Sequence, residues 1–177
     1  MKVLVHDCCA PCGAQVVKFL IDQGHDVLVY FYNPNIMPIE EYELRHQEMQ
    51  RFCKKVKVPI IEGKNENDEW LSAVKGYEQE PEGGLRCKQC FTKRLSEAAQ
   101  RAQEENCEAL ATTLTMSPRK NALLINQIGQ ELADFYGIKF IDAIWREDEG
   151  YKKACALSKE EGFHRQNYCG CEFSFRD

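Results

Sequence analysis

The chain has 177 residues, of which 44% are hydrophobic and 29% charged, with a formal net charge of −5. That length supports a domain with a real hydrophobic core, and the composition excludes a disordered or fibrous chain. No apolar run reaches the roughly 20 residues of a membrane span, and the acidic balance leaves no footprint for non-specific nucleic-acid binding.

Residues 2–5, KVLV, are an apolar β-branched run that predicts a buried strand. In GAQVVKFLIDQG, Val16, Val17, Leu20 and Ile21 recur at helical spacing, and Gly24 supplies a stop. DVLVYFY is a second buried strand closed by the turn residues NPN at 33–35. Strand, helix and strand in this order predict a parallel sheet with a right-handed crossover. IEEYELRHQEMQRFCKKV follows as a charged amphipathic helix, VPIIEG as a strand and DEWLSAVKGY as a short helix. EPEGGLRCKQC reads as a loop that opens into the helix FTKRLSEAAQRAQEEN. CEALATTL is a strand leading into TMSPRKN, NALLINQIGQELADFYG is a helix stopped by Gly137, and IKFIDAIW closes the sheet. From Arg146 onward the expectation is a polar tail carrying YCGC. With no repeat and no linker, residues 1–177 read as a single α/β domain. Its functional loops should lie beyond the carboxyl ends of the strands.

The opening MKVLVHD is too quickly polar for a secretory signal, so a cytoplasmic location is expected. There thiols stay reduced, and the ten cysteines argue against a disulfide scaffold. Three sit in HDCCAPC, as Cys8, Cys9 and Cys12. Cys9 and Cys12 form a C-x-x-C at a strand-to-helix junction, where a thioredoxin-like pair would also lie. A plain dithiol exchanger has no use for Cys8, nor for the second C-x-x-C at Cys87 and Cys90. Two thiol pairs on one rim suit a four-thiolate site for zinc or an iron–sulfur cluster. Adjacent ligands crowd a single tetrahedral ion, whereas neighbouring irons accept them. Cys169-Gly170-Cys171 is either a strained, redox-labile pair or two unrelated tail thiols. Cys53 and Cys107 fit as small core residues, and Cys155 has no assigned role. His6 and Asp7 precede the thiols, where either a second ion or a support for a ligating thiolate is conceivable. Asn33, Asn35, Thr112, Thr113 and Ser117 either read a polar substrate or close their turns.

Taken together, HDCCAPC, YNPNI, RCKQCF, TTLTMSPRKN and FHRQNYCGCEFS resemble the epoxyqueuosine reductases of the QueH type. The resemblance runs from Cys8 to Cys171. It implies a Rossmann-like parallel sheet with flanking helices, related to nucleotide α-hydrolases, and reduction of the epoxide of epoxyqueuosine in tRNA without cobalamin. It also implies a [4Fe-4S] cluster on Cys8, Cys9, Cys87 and Cys90, and a redox-active disulfide between Cys169 and Cys171. A second electron store is then needed, either that dithiol or an additional mononuclear iron for which Cys12 and Asp7 are candidate ligands. The partners expected are a tRNA anticodon loop and an unknown electron donor, with no membrane. Candidate substrate contacts are Asn33, Asn35, Ser117, Arg119 and Lys120, with Lys152 and Lys153 as further phosphate contacts and Trp145 or Tyr168 as a stacking surface. A zinc-stabilised RNA-binding module and a thiol–disulfide oxidoreductase are the competing functions.

Overall fold

The computed structural model describes residues 1–175. Five parallel strands lie in the order β3-β2-β1-β4-β5. They are β1 (Lys2–Asp7), β2 (Asp26–Phe31), β3 (Ile60–Glu62), β4 (Ala109–Thr112) and β5 (Lys139–Phe140), and the helices are α1 (Ala10–Asp22), α2 (Ile39–Val56), α3 (Asn67–Ala73), α4 (Leu85–Glu104), α5 (Ala122–Tyr136) and α6 (Gly150–Glu160).

The strands read as continuous apolar runs because both faces of the sheet are covered. Val3, Val5, Val27, Val29, Ala109 and Ala111 point to one side, where they pack with Val17 and Leu20 of α1, Met49 and Phe52 of α2, and Leu157 of α6. Leu4, Leu28, Tyr30 and Leu110 alternate to the other side, against Ala98, Ala99 and Ala102 of α4. This is the Rossmann-like parallel sheet with flanking helices that the sequence predicts, and the strand order reverses between β1 and β4. In open α/β sheets the crevice at such a reversal is where ligands bind.

Three expectations need correction. The region after Arg146 is not simply a polar tail, because Gly150–Glu160 is helical and buries Ala154, Leu157 and Ser158. Its short apolar run, Ala154–Leu157, is flanked on both sides by Lys and Glu, which hid the stripe that docks on α1. The last strand is two residues long rather than the length of IKFIDAIW. Beyond it the chain turns across the sheet end, where Asp142 accepts from Asn126 at 2.5 Å and the Trp145 indole donates to the Thr112 carbonyl at 2.9 Å. Finally, Cys87 and Cys90 lie inside the first turns of α4 rather than in the loop before it.

Helix α1 begins immediately after the adjacent cysteines, with Cys9 as its N-cap and Pro in its first turn. Its close approach to β1 depends on Gly13, where a Cβ would fall 1.9 Å from Asp7 Oδ1.

Candidate active site

Two residues at the end of β1 fix the site's floor. The buried His6 ring bridges the Thr112 hydroxyl at Nδ1 (3.0 Å) and the Tyr32 carbonyl at Nε2 (3.1 Å). A carbonyl only accepts, so Nε2 carries the proton and Nδ1 accepts from Thr112. Burial then holds the His6 pKa down to about 3. Both ring nitrogens are committed, which makes His6 a brace between strands rather than a ligand. Asp7 is also buried. Its Oδ1 accepts from the Thr113 hydroxyl at 3.3 Å, and its carbonyl accepts from Asn33 Nδ2 at 2.9 Å. Burial first, and the neighbouring Cys8 second, push its carboxyl well above the ordinary range.

The thiols come next. Cys8, Cys9 and Cys12 bring their sulfurs within 4.8 Å of one another, with Cys8 and Cys9 at 3.8 Å. Hydrogen bonds from Cys12 and Cys9 hold Cys8 well below the ordinary thiol range, and Cys12 is pushed up in return. Among the described residues no carboxylate joins this group, so the pairing of Cys12 with Asp7 around a second ion finds no support. Cys87 packs against the same apolar patch as Cys8 and Cys9, formed by Phe91, Leu95, Leu114 and Ile125. Cys90 faces Trp70, Val74 and Cys171.

Several sulfurs receive donors from outside the thiol group. The Gln166 amide donates to Cys9 Sγ at 3.1 Å, and the Gly83 amide to Cys87 Sγ at 3.2 Å. Cys8 Sγ lies 3.4 Å from the Thr113 hydroxyl. Burial raises the Cys90 pKa, and the nearby Arg94 charge works against that shift. N–H donors aimed at sulfur, as at Cys9 and Cys87, are the surroundings that thiolate ligands need.

These residues surround two adjoining cavities. The larger, of about 250 Å³, is lined by Cys8, Cys9, Cys12 and Cys169. The smaller, of about 30 Å³, is lined by Cys87, Cys90, Cys169 and Cys171. Arg94, Arg119, Lys120 and Cys169 belong to both walls. Five cationic side chains (Arg45, Arg94, Arg119, Lys120 and Arg165) line the larger cavity against one carboxylate, Glu82, so its charge opposes that of the whole chain. The loop bearing Arg119 and Lys120 is braced from behind by Arg146, which donates to the carbonyls of Thr115, Ser117 and Lys120. Burial works against the Lys120 charge, but Cys8, Cys169 and Cys12 outweigh it and raise its pKa.

Other candidates fall elsewhere. Asn33 is 1% exposed and its side chain is spent internally, donating to Asp7 and accepting from Arg94 at 2.5 Å. It positions Arg94 rather than reading a substrate. Asn35 is equally buried, lines the smaller cavity, and has an Oδ1 with no partner among the described residues. Ser117 Oγ accepts from the Arg119 amide at 3.3 Å. Trp145 is locked against Phe19 and Thr112 and offers no stacking face to the cleft. Tyr168 lines the cleft, but its ring lies on Phe175 and beneath Arg45. Lys152 is exposed and pairs with Glu149, and neither it nor Lys153 lines either cavity.

Arg45 and Arg94 escaped the sequence reading, yet a signal existed. In α2 the buried positions are Tyr42, Arg45, His46, Met49, Phe52 and Cys53, and in α4 they include Cys90, Phe91, Arg94, Leu95 and Ala98. Each arginine occupies a core position of its helix, which a charged residue rarely does without a fixed partner.

The chain matches the family described as epoxyqueuosine reductase QueH across residues 3–177. The chain belongs to that family. A relative of the same name from Acinetobacter baylyi is 41% identical, covering 99% of this chain and 81% of its own length. The QueH of Thermotoga maritima is 39% identical over 97% of this chain and 89% of its own. Among solved structures, the U34-tRNA thiolase NcsA from Methanococcus maripaludis, with its [4Fe-4S] cluster, superposes at a TM-score of 0.61. It is 14% identical and the match covers 99% of this chain and 61% of NcsA. A predicted subunit of tRNA methyltransferase from Methanocaldococcus jannaschii reaches 0.62 at 17% identity, covering 90% of this chain and 76% of that one. At those identities the two structures establish the shared fold. The cysteine cluster at the QueH site fits an iron–sulfur cofactor. Among the described residues no helix is long and apolar enough to cross a membrane.

Proposed function

We propose that this chain reduces epoxyqueuosine to queuosine in tRNA, and that the two cavities around its cysteines are the place of reaction. The observation that carries this reading is the convergence of three thiol groups, Cys8/Cys9/Cys12, Cys87/Cys90 and Cys169/Cys171, on one cation-lined cleft in a QueH-family chain.

The ligands we assign to a [4Fe-4S] cluster are Cys8, Cys9, Cys87 and Cys90. Amide N–H groups support this assignment at two of them, the Gln166 side chain donating to Cys9 Sγ and the Gly83 backbone to Cys87 Sγ. When bound, such a cluster supplies electrons one at a time at a potential that these donors tune. Converting an epoxide to an alkene consumes two electrons and two protons and releases water. Oxidation of the Cys169 and Cys171 thiols to a disulfide yields two electrons and two protons, so this pair balances the reaction without a further iron. The neighbouring Cys171 thiol first, and the Lys120 charge after it, hold the Cys169 thiol below the ordinary range. Cys169 also borders both cavities, so it is the sulfur we assign to face the substrate.

Arg119 and Lys120 are the phosphate contacts in this reading, with Ser117 supporting their loop, and Asn35 offers an unfilled acceptor at the inner wall. A tRNA substrate places the protein in the cytoplasm, and the spent disulfide requires an external reductant. Anaerobically purified protein is expected to contain about four irons and four sulfides per chain and to convert epoxyqueuosine-tRNA in single turnover. Cys90→Ala should lose cluster and turnover together. A colourless protein holding zinc alone would remove the reductase mechanism and favour an RNA-binding module. A metal-free protein with a titratable Cys9/Cys12 pair would favour a thiol oxidoreductase.

A further inference from the structure

The segment that carries Cys169 and Cys171 is held by hydrogen bonds along its backbone. Four consecutive carbonyls accept hydrogen bonds. Those of Tyr168 and Cys169 accept from Arg45 Nη2 (3.4 Å) and Nη1 (3.1 Å). The Gly170 carbonyl accepts from the Met37 amide at 2.8 Å. The Cys171 carbonyl accepts from the Ser174 hydroxyl at 2.7 Å and the Ser174 amide at 2.9 Å. The Tyr168 hydroxyl returns a bond to the Met37 carbonyl at 2.5 Å.

Arg45 is the centre of this clamp. Its side chain is 2% exposed, Nε donates to Glu41 at 2.6 Å, and the guanidinium lies 5.4 Å from the centre of the Tyr168 ring. The turn is built to admit it. Gly170 has φ of +113°, and a Cβ there would lie 3.2 Å from Arg45 Nη1 and 2.8 Å from Ile36 Cγ1. A buried guanidinium is a poor way to gain stability alone, since an apolar side chain of similar volume packs as well. What an apolar side chain cannot do is fix two successive carbonyls with one planar fork.

We infer that Arg45 is a positioning residue for the Cys169/Cys171 couple, fixing the backbone so that the two sulfurs stay in bonding reach. This rests on the reading of those cysteines as a redox pair. A free Cys-Gly-Cys segment must give up backbone freedom and close a tight ring to form its disulfide. In the clamped turn that ordering is already complete, and the thiols meet at high effective concentration. The step served is the loss of two electrons and two protons from the two thiols as one S–S bond forms.

The test equilibrates the cluster-loaded protein in buffers of graded oxidised and reduced dithiothreitol, followed by alkylation and mass spectrometry of the peptide containing both cysteines. Wild-type protein should titrate as a two-electron couple. Arg45→Gln should move the dithiol–disulfide equilibrium about tenfold toward dithiol, a rise of about 30 mV in potential. Arg45→Lys keeps the charge but loses the fork, and should fall between the two. Glu41→Gln, which leaves the turn untouched and frees the Arg45 fork, should shift the equilibrium in the same direction by about threefold and covers the case in which Arg45→Gln does not fold. Variants that melt earlier yet titrate like wild type would overturn the positioning role and leave the redox reading intact. A wild-type pair that stays dithiol throughout would instead overturn the redox reading itself.

Discussion

A methyl group at position 13 would sit 1.9 Å from Asp7 Oδ1 and 3.3 Å from the Met49 side chain. Neither neighbour has room to retreat, because Asp7 is tied to Thr113 and Asn33 and Met49 is fully buried. Gly13→Ala should therefore cost about 1–3 kcal/mol of stability through overpacking. The same displacement would separate the start of α1 from the end of β1, the junction that aligns Cys8, Cys9 and Cys12. The check is a denaturant titration together with iron content. A variant of wild-type stability would show that α1 can slide away from β1 without penalty. Cys53 makes the opposite case. It is a buried thiol whose pKa burial pushes up to about 12, and it should resist alkylation in native protein at pH 8 yet react once denatured. Labelling at the rate of an exposed thiol would mean that α2 opens readily.

Elements were legible where one pattern dominated. Buried strands such as KVLV and DVLVYF announce themselves by unbroken apolar runs, and α5 by its periodic face and the Gly137 cap in the left-handed region. Each of the cysteines singled out for chemistry was visible as well, because motif spacing survives without knowledge of the fold. What escaped were features made by tertiary contact. Helix α6 carries three buried residues amid lysines and glutamates, so its apolar stripe is visible only against α1. Asn33, expected to read a substrate, serves Asp7 and Arg94 because of a helix sixty residues away. If α6 is the core element its packing indicates, Leu157→Ala should destabilise the protein by about 2–5 kcal/mol. Glu161→Gln, which releases the cap of α6 from Lys55 and Arg51, should cost less than about 1 kcal/mol and become silent at high salt. Comparable losses from the two would mean that charge rather than packing holds α6 in place.

At the scale of the whole molecule, charge is divided by location. The chain carries a net −5, yet the cleft presents five cations and one carboxylate. Indiscriminate attraction of nucleic acid is thereby suppressed, while a single-stranded loop that reaches the cleft meets a local positive field. The two demands are compatible because screening limits each charge to about 8 Å at physiological ionic strength. Binding of tRNA should consequently weaken as salt rises, with a slope in log K against log salt of about −0.7 for each phosphate neutralised. Arg119→Gln and Lys120→Gln should each flatten that slope by about one such increment, while Lys152→Gln, on an exposed lysine outside both cavities, should leave it unchanged. If all three lysine and arginine variants flattened it equally, the phosphate contacts would be spread over the surface. The cleft would then act by shape, and its cations would serve the thiolates that they surround.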